Sequence, residues 1–153
     1  MKPFYEDGLR WSCKRCSNCC RYESGYVFLS RNDLSNLSRA LKMPPDEFIQ
    51  VYCRWISPDG KIEYLVVKEL SNRDCFFWKD GCSIYDIRPV QCRIFPFWQG
   101  CMADEEVWRS SMSSCPGLGE GKLYSKEEIE SCFEIERVEH PIGRPARCSG
   151  PVL

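Results

Sequence analysis

Leu34, Leu37 and Leu41 recur at the three- and four-residue spacing of one helical face, directly after the polar run Ser30-Arg31-Asn32-Asp33. The Ser30 hydroxyl can cap free backbone N–H groups and Asp33 suits the positive end of a helix dipole. A helix starting there and running to about Lys42 is therefore predicted. Just upstream, Tyr26-Val27-Phe28-Leu29 reads as a short strand. Pro44-Pro45-Asp46-Glu47 opens a second helix with Phe48, Ile49 and Tyr52 facing inward. Pro58-Asp59-Gly60 is a turn signal between Val51–Ile56 and the β-rich run Ile62–Val67. Cys75-Phe76-Phe77-Trp78 and Cys82-Ser83-Ile84-Tyr85 read as two strands joined by a turn at Lys79-Asp80-Gly81. Pro89 can sit in the first turn of a short helix that carries Cys92 and stops at Pro96. Near the end, Ser125-Lys126-Glu127-Glu128 is a capping box for a helix to about Val138, with Ile129, Cys132 and Phe133 on one side.

Composition changes this picture at one point. Twelve of the 153 residues are cysteine and only one, His140, is histidine. Cys13-x-x-Cys16-x-x-Cys19-Cys20 places four thiols within eight residues, a density that suits thiolates around a soft metal ion. A disulfide framework is the competing reading. The N-terminus, Met1-Lys2-Pro3-Phe4-Tyr5-Glu6-Asp7, offers no apolar run suited to secretion, and no stretch approaches the ~20 apolar residues of a membrane span. The expected location is therefore the cytoplasm, where clustered cysteines more often bind metal than form disulfides. The vicinal Cys19-Cys20 pair points the same way, because short loops strain the bond. The formal net charge is −1 with both signs interspersed, which gives no basic face for nucleic acid and no anchor for an anionic membrane. Nothing resembles a nucleophile with its base, and Gly117-Leu118-Gly119-Glu120-Gly121 lacks the lysine and preceding strand of a phosphate loop.

A longer set of residues carries a resemblance. Cys13-x-x-Cys16-x-x-Cys19-Cys20 is followed by Cys75-x6-Cys82-x-Ile84-Tyr85-x-x-Arg88-Pro89-x-x-Cys92-Arg93-x-Phe95-Pro96, and then by Cys115-Pro116-Gly117. In order and spacing this resembles the YkgJ-type cysteine-cluster family, described as zinc- or iron-chelating proteins. The resemblance spans roughly residues 9 to 125 and implies a metal site much more firmly than a reaction. The same signature is similar to one in flagellin lysine methylases, which implies the alternative of an iron–sulfur, redox or S-adenosylmethionine-using enzyme.

Residue by residue, the resemblance implies eight metal ligands: Cys13, Cys16, Cys19, Cys20, Cys75, Cys82, Cys92 and Cys115. It also places Arg88 and Arg93 among the ligands as groups able to donate to sulfur, with Asp86 a candidate partner for either. Lys14 and Arg15 read as solvated loop charges. Eight thiols make two sites of four or one cluster with extra ligands, and the ion is zinc or iron, an iron–sulfur cluster included. Adjacent side chains strain the angle at a single tetrahedral ion, so Cys19 and Cys20 are expected to face two different ions, or one of them to bridge. Of the remaining thiols, which fall outside the pattern, Cys53 and Cys132 read as small buried hydrophobes in helices and Cys148 as incidental, while for Cys101, close to the motif, a spare ligand is the lesser alternative. His140 reads as a surface residue.

These readings combine into a small metal-stabilised α+β domain with short strands, several helices and a cysteine-rich irregular region. The cysteine-cluster unit is expected over 1–125, with 126–153 as a C-terminal helix and tail packed on the same domain. The aromatic set Phe76, Phe77, Trp78, Phe95, Phe97 and Trp98 is expected to pack around the metal. The only partner implied is the metal ion.

Overall fold

The computed structural model describes residues 1–21 and 25–147, so Cys148 and the last of the tail lie outside the described residues. In chain order the elements are β1 (Leu9–Trp11), α1 (Arg31–Ala40), α2 (Pro45–Tyr52), β2 (Cys53–Ile56), β3 (Ile62–Val67), a 3-10 turn (Tyr85–Ile87), α3 (Val90–Ile94), α4 (Glu105–Met112), β4 (Lys122–Tyr124), α5 (Lys126–Val138) and β5 (Gly143–Pro145). This is an α+β fold with two small antiparallel sheets, one ordered β2-β3-β5 and the other pairing β1 with β4.

The helix starts follow from their caps. In α1 the Ser30 Oγ accepts from Asp33 N and the Asp33 carboxylate accepts from Ser30 N, both at 3.1 Å. Lys42, with φ 55°, ends this helix in the left-handed conformation, and Met43 N donates back to the Ser38 carbonyl. Helix α2 has Pro45 in its first turn and no basic residue in its last. The Lys68 ammonium reaches over from β3 to donate to the carbonyls of Gln50 and Val51 at that end. The Ser125/Glu128 capping box of α5 is formed in full.

Strands depart further from expectation. Residues 27–29 bond to β3, with Leu29 N donating to the Leu65 carbonyl and Val67 N to the Val27 carbonyl, but form a single bridge, Phe28–Val66, in place of a strand. The two strands expected at 75–78 and 82–85 are not strands. Their N–H groups go into turns instead: Trp78 to Cys75 O, Lys79 to Gly81 O and Ser83 to Phe77 O, each at 2.8 Å. One bridge, Trp78–Cys82, closes the resulting knuckle. Pro89 sits one position before α3 as its N-cap, and Cys53 lies in β2, buried as expected but in a strand.

Apolar side chains form two cores. Leu29, Leu37, Phe48, Cys53, Leu65, Val67, Phe77 and Ile84 make the first, with Cys75, Phe76 and Cys82 packed against it. Phe97, Met102, Trp108, Leu118 and Ile129 make the second, with Trp11, Cys115, Tyr124 and Cys132 on its margin. The aromatic set is therefore divided. Phe76 and Phe77 belong to the first core and Phe97 to the second, while Phe95 lies edge-on to Trp11 and Trp98. Among the described residues, no helix is long and apolar enough to cross a membrane.

Candidate metal centre

Three separate segments deliver thiols to one place. The first is the 13–20 loop. Arg15 and Ser17 take positive φ angles of 51° and 68°, which coil the loop tightly enough for Arg15 N–H to donate to Cys13 Sγ at 3.4 Å. The loop is held at both ends of its course. Ser12 N donates to the Gly117 carbonyl, Asn18 Nδ2 to the Ser114 carbonyl, and Trp78 Nε1 to Ser17 Oγ at 2.9 Å. Cys75 N donates to the Cys20 carbonyl at 2.7 Å, tying the vicinal pair to the second segment, the 75–84 knuckle. In that knuckle burial raises the Cys75 and Cys82 thiols, and the backbone amides of Phe77 and Ile84 oppose that rise in part. At Cys13 the amide two residues on is likewise turned back toward sulfur.

The third segment is α3, which carries Cys92 and is mounted on the first core by polar contacts on either side of it in sequence. Asp33 Oδ1 accepts from Val90 N at 2.9 Å, and the Gln91 amide accepts from Phe28 N and donates to the Tyr26 carbonyl. Trp98 Nε1 donates to the Gln91 carbonyl. A five-residue helix would not hold a ligand on its own; its neighbours fix it.

Electrostatics show which thiols share a field. Cys19 Sγ and Cys20 Sγ are 3.7 Å apart. The hydrogen bond from Cys20 lowers the Cys19 thiol to about 6, and the same bond, with burial, pushes Cys20 up. The two thiols therefore titrate as a pair, and the first charge formed belongs to both. Burial raises Cys75, Cys82 and Cys92, and each is raised further by the negative charge of others in the set. Cys19, Cys20, Cys75, Cys82 and Cys92 are therefore one electrostatic group. Without a cation they resist ionising together; a divalent ion would reverse the sign of that field.

Cys13 and Cys115 stand apart from this group. The antiparallel bridge between Trp11 and Leu118, with Ser12 N on the Gly117 carbonyl, brings Cys13 alongside the Cys115-Pro116 stretch. A Cβ at Gly117 would overlap the Ser12 carbonyl, so this close approach requires glycine. Next to it the Trp11 indole N–H is buried without a hydrogen-bond partner. Cys16 lies exposed on the loop between the two groups.

The donor set fits a soft ion. A tetrahedral ion with ~2.3 Å bonds places neighbouring sulfurs about 3.8 Å apart, the spacing of the vicinal pair. Among the described residues, no three His, Cys, Asp or Glu side chains form a ready-made coordination set, so these thiols are gathered neighbours and not a closed cage. All eleven described cysteines are free thiols.

The surrounding charges sort themselves. Arg88 stacks on Tyr85, donates to the Tyr85 carbonyl at 2.9 Å and favours the ionised form of Cys19, Cys82 and Cys92. These contacts replace the anticipated pairing with Asp86. Arg93 acts on Asp33 and Glu139, on the mount of α3. Lys14 pairs with Glu120 at 3.0 Å. Asp33 was invisible from sequence as a support for Cys92, since its partner Val90 lies 57 residues away.

Comparison with known proteins gives a consistent relation. A family model described as "CxxCxxCC: Putative zinc- or iron-chelating domain" matches residues 12–116. The uncharacterised protein MJ0661 of Methanocaldococcus jannaschii is 32% identical over 95 residues, covering 61% of this chain and 48% of the relative. A second uncharacterised protein of that organism, MJ0939, is 24% identical over 136 residues, covering 84% of this chain and 44% of the relative. The chain thus spans just under half the length of these relatives. No solved structure matches.

Proposed function

Because the chain belongs to the CxxCxxCC family of zinc- or iron-chelating domains, we propose that it binds its ion through Cys19, Cys20, Cys75, Cys82 and Cys92. The observation that carries this reading is the vicinal Cys19–Cys20 pair, with its sulfurs 3.7 Å apart, tied directly to the knuckle by the bond from Cys75 N to the Cys20 carbonyl. Cys13, Cys115 and the intervening Cys16 form a neighbouring thiol set, which supports a second ion or supplementary ligands for the first. The amide on Cys13 Sγ and the unpartnered Trp11 indole N–H are both suited to a sulfur that carries charge.

The role this supports is metal handling or metal-dependent stabilisation in a reducing compartment such as the cytoplasm. A bound ion would supply charge neutralisation and a cross-link between segments. The chain's own residues do the rest: the knuckle amides partly offset the burial that raises its thiols, Arg88 offsets negative charge, and Asp33 with Gln91 holds Cys92 in place. An iron–sulfur enzyme is the alternative that the same thiol chemistry permits.

Titration of the reduced protein with cobalt(II) tests the reading. Tetrahedral thiolate coordination predicts visible d–d bands and a sulfur-to-cobalt charge-transfer band that saturate together, and Cys75→Ser should weaken both. A spectrum that stays that of the hydrated ion would contradict chelation by these thiols.

A further inference from the structure

Arg15 and Lys14 are neighbours in one exposed loop, yet the structure separates their roles. Lys14 has a carboxylate partner in Glu120, and Arg21, further along, has one in Asp74. Arg15 turns the other way. Its guanidinium carbon lies 4.1 Å from the centre of the Tyr85 ring, and that of Arg88 lies 3.9 Å from the same centre. Two cations on one aromatic ring repel each other, and a Tyr quadrupole alone is a modest attraction for either. Neither guanidinium forms an ion pair with a carboxylate among the described residues. What surrounds them in the chain is thiol: Tyr85 follows Cys82 by three residues, Arg88 precedes Cys92 by four, and Arg15 sits next to Cys16 on the loop, yet both guanidiniums meet on one ring.

We propose that Arg15 and Arg88, mounted together on Tyr85, are the paired counter-cations of the thiolate centre, with Tyr85 as the platform that positions both. A divalent ion with four of the five thiols proposed as ligands ionised carries a formal −2, the charge that two guanidiniums offset. The platform also has a reason to sit where it does. Tyr85 opens the 3-10 turn between Cys82 and Cys92, so it moves with two of the ligands, and Arg88 is locked to it by the bond from Nε to the Tyr85 carbonyl. Arg15 arrives from the other side of the centre, on the loop that carries Cys13 and Cys16. Its stacking therefore ties the 13–20 loop to the knuckle through charge. This inference rests on the chelation reading and deepens it: Arg15 and Arg88 are positioning and compensating residues, and neither is a ligand.

The test is the zinc(II) affinity of the reduced full chain, measured by competition with a chromophoric chelator at low and high salt. Arg15→Gln and Arg88→Gln should each weaken zinc binding about tenfold, as loss of a group that supports metal ligands does. Arg15→Lys should recover most of the loss, because charge is kept. Tyr85→Leu should weaken binding although both arginines remain. Native affinity should fall with salt more steeply than that of Arg15→Gln, and the melting temperature of metal-free Arg15→Gln should match the native value. Arg109→Gln, whose arginine pairs with Glu105 on α4, should bind as native. Equal affinity in native, Arg15→Gln and Arg88→Gln proteins would overturn the inference and leave chelation standing. A native protein that takes up no zinc or iron would overturn both.

Discussion

Stripping the ion with a chelator under strong reductant is expected to lower the melting temperature by roughly 10 °C and to release the 13–20 loop and the 75–87 knuckle before the rest. An ion held at ~1,000 times its dissociation constant stabilises the folded state by about 4 kcal/mol, and each 1 kcal/mol moves the melting point of a chain this size by roughly 2–4 °C. The local structure shows why the loss falls on those segments. The knuckle is closed by turn bonds and one bridge, and the loop by scattered contacts such as Ser12 to Gly117 and Cys75 to Cys20. Both lack the continuous ladder that Cys53–Ile56 and Ile62–Val67 share. Hydrogen exchange followed across the two states checks this: amides of Leu65–Val67 should keep their protection while those of 75–87 lose it. The effect should also reach the first core, since Phe77 and Ile84 are buried there beside Cys75 and Cys82. An unchanged melting curve after verified metal removal would show that the ion does not support the fold.

Asp33→Ala is expected to cost about 3–5 kcal/mol, a large share of the 5–15 kcal/mol that holds a typical domain together. Asp33 is only 3% exposed, and its two carboxylate oxygens serve different helices. One accepts from Ser30 N and closes the α1 cap; the other accepts from Val90 N and starts α3. Alanine would leave both N–H groups buried and unbonded, and would loosen the helix that presents Cys92. Asparagine keeps only one acceptor and should fall between. Denaturant midpoints measure the order, and a midpoint for Asp33→Ala within experimental error of native would contradict it. The pH dependence has a definite sign. Desolvation raises the Asp33 carboxyl above its ordinary 3.8, so the folded state holds that proton more tightly than the unfolded state. The extra stability linked to that proton is therefore fully present below 3.8 and is lost as pH rises through the raised value, while the two accepted hydrogen bonds remain. Asp33→Asn should flatten that part of the profile.

How far the sequence carried the fold can be judged at these same residues. The reciprocal Ser30–Asp33 and Ser125–Glu128 bonds are local, three residues apart, and were legible; so was the entry of α2 at Pro45. The second bond of Asp33, to Val90, was not, because nothing in a linear chain announces a contact 57 residues away. Cys75–Trp78 and Cys82–Tyr85 have the aromatic, β-prone composition of strands, yet they fold as turns because their amides serve nearby carbonyls. Strands β1, β4 and β5 have three residues each, too few for a period to show. Helix α4 was missed although Asp104 caps it by accepting from Val107 N and Glu105 pairs with Arg109 one turn on.

For the site, thiol spacing was enough to suggest a metal and, through the family resemblance, to name eight candidate ligands. Their division was not readable. Whether Cys115 stands with Cys92 or with Cys13 depends on the glycine-enabled contact between Ser12 and Gly117, two residues more than a hundred positions apart, and the motif names Gly117 without naming its partner. The same holds for Arg15 and Lys14, adjacent in sequence and equal in charge, one stacked on Tyr85 and the other paired with Glu120.

The most direct test of chelation is the metal and acid-labile sulfide content of the chain purified without oxygen, compared with that of Cys75→Ser/Cys82→Ser and of Cys53→Ser. The account predicts zinc or iron in the native protein, its loss in the double variant, and its retention when buried Cys53 is changed. Native protein that holds no ion and takes none up on reconstitution, or equal metal content in all three, would contradict it.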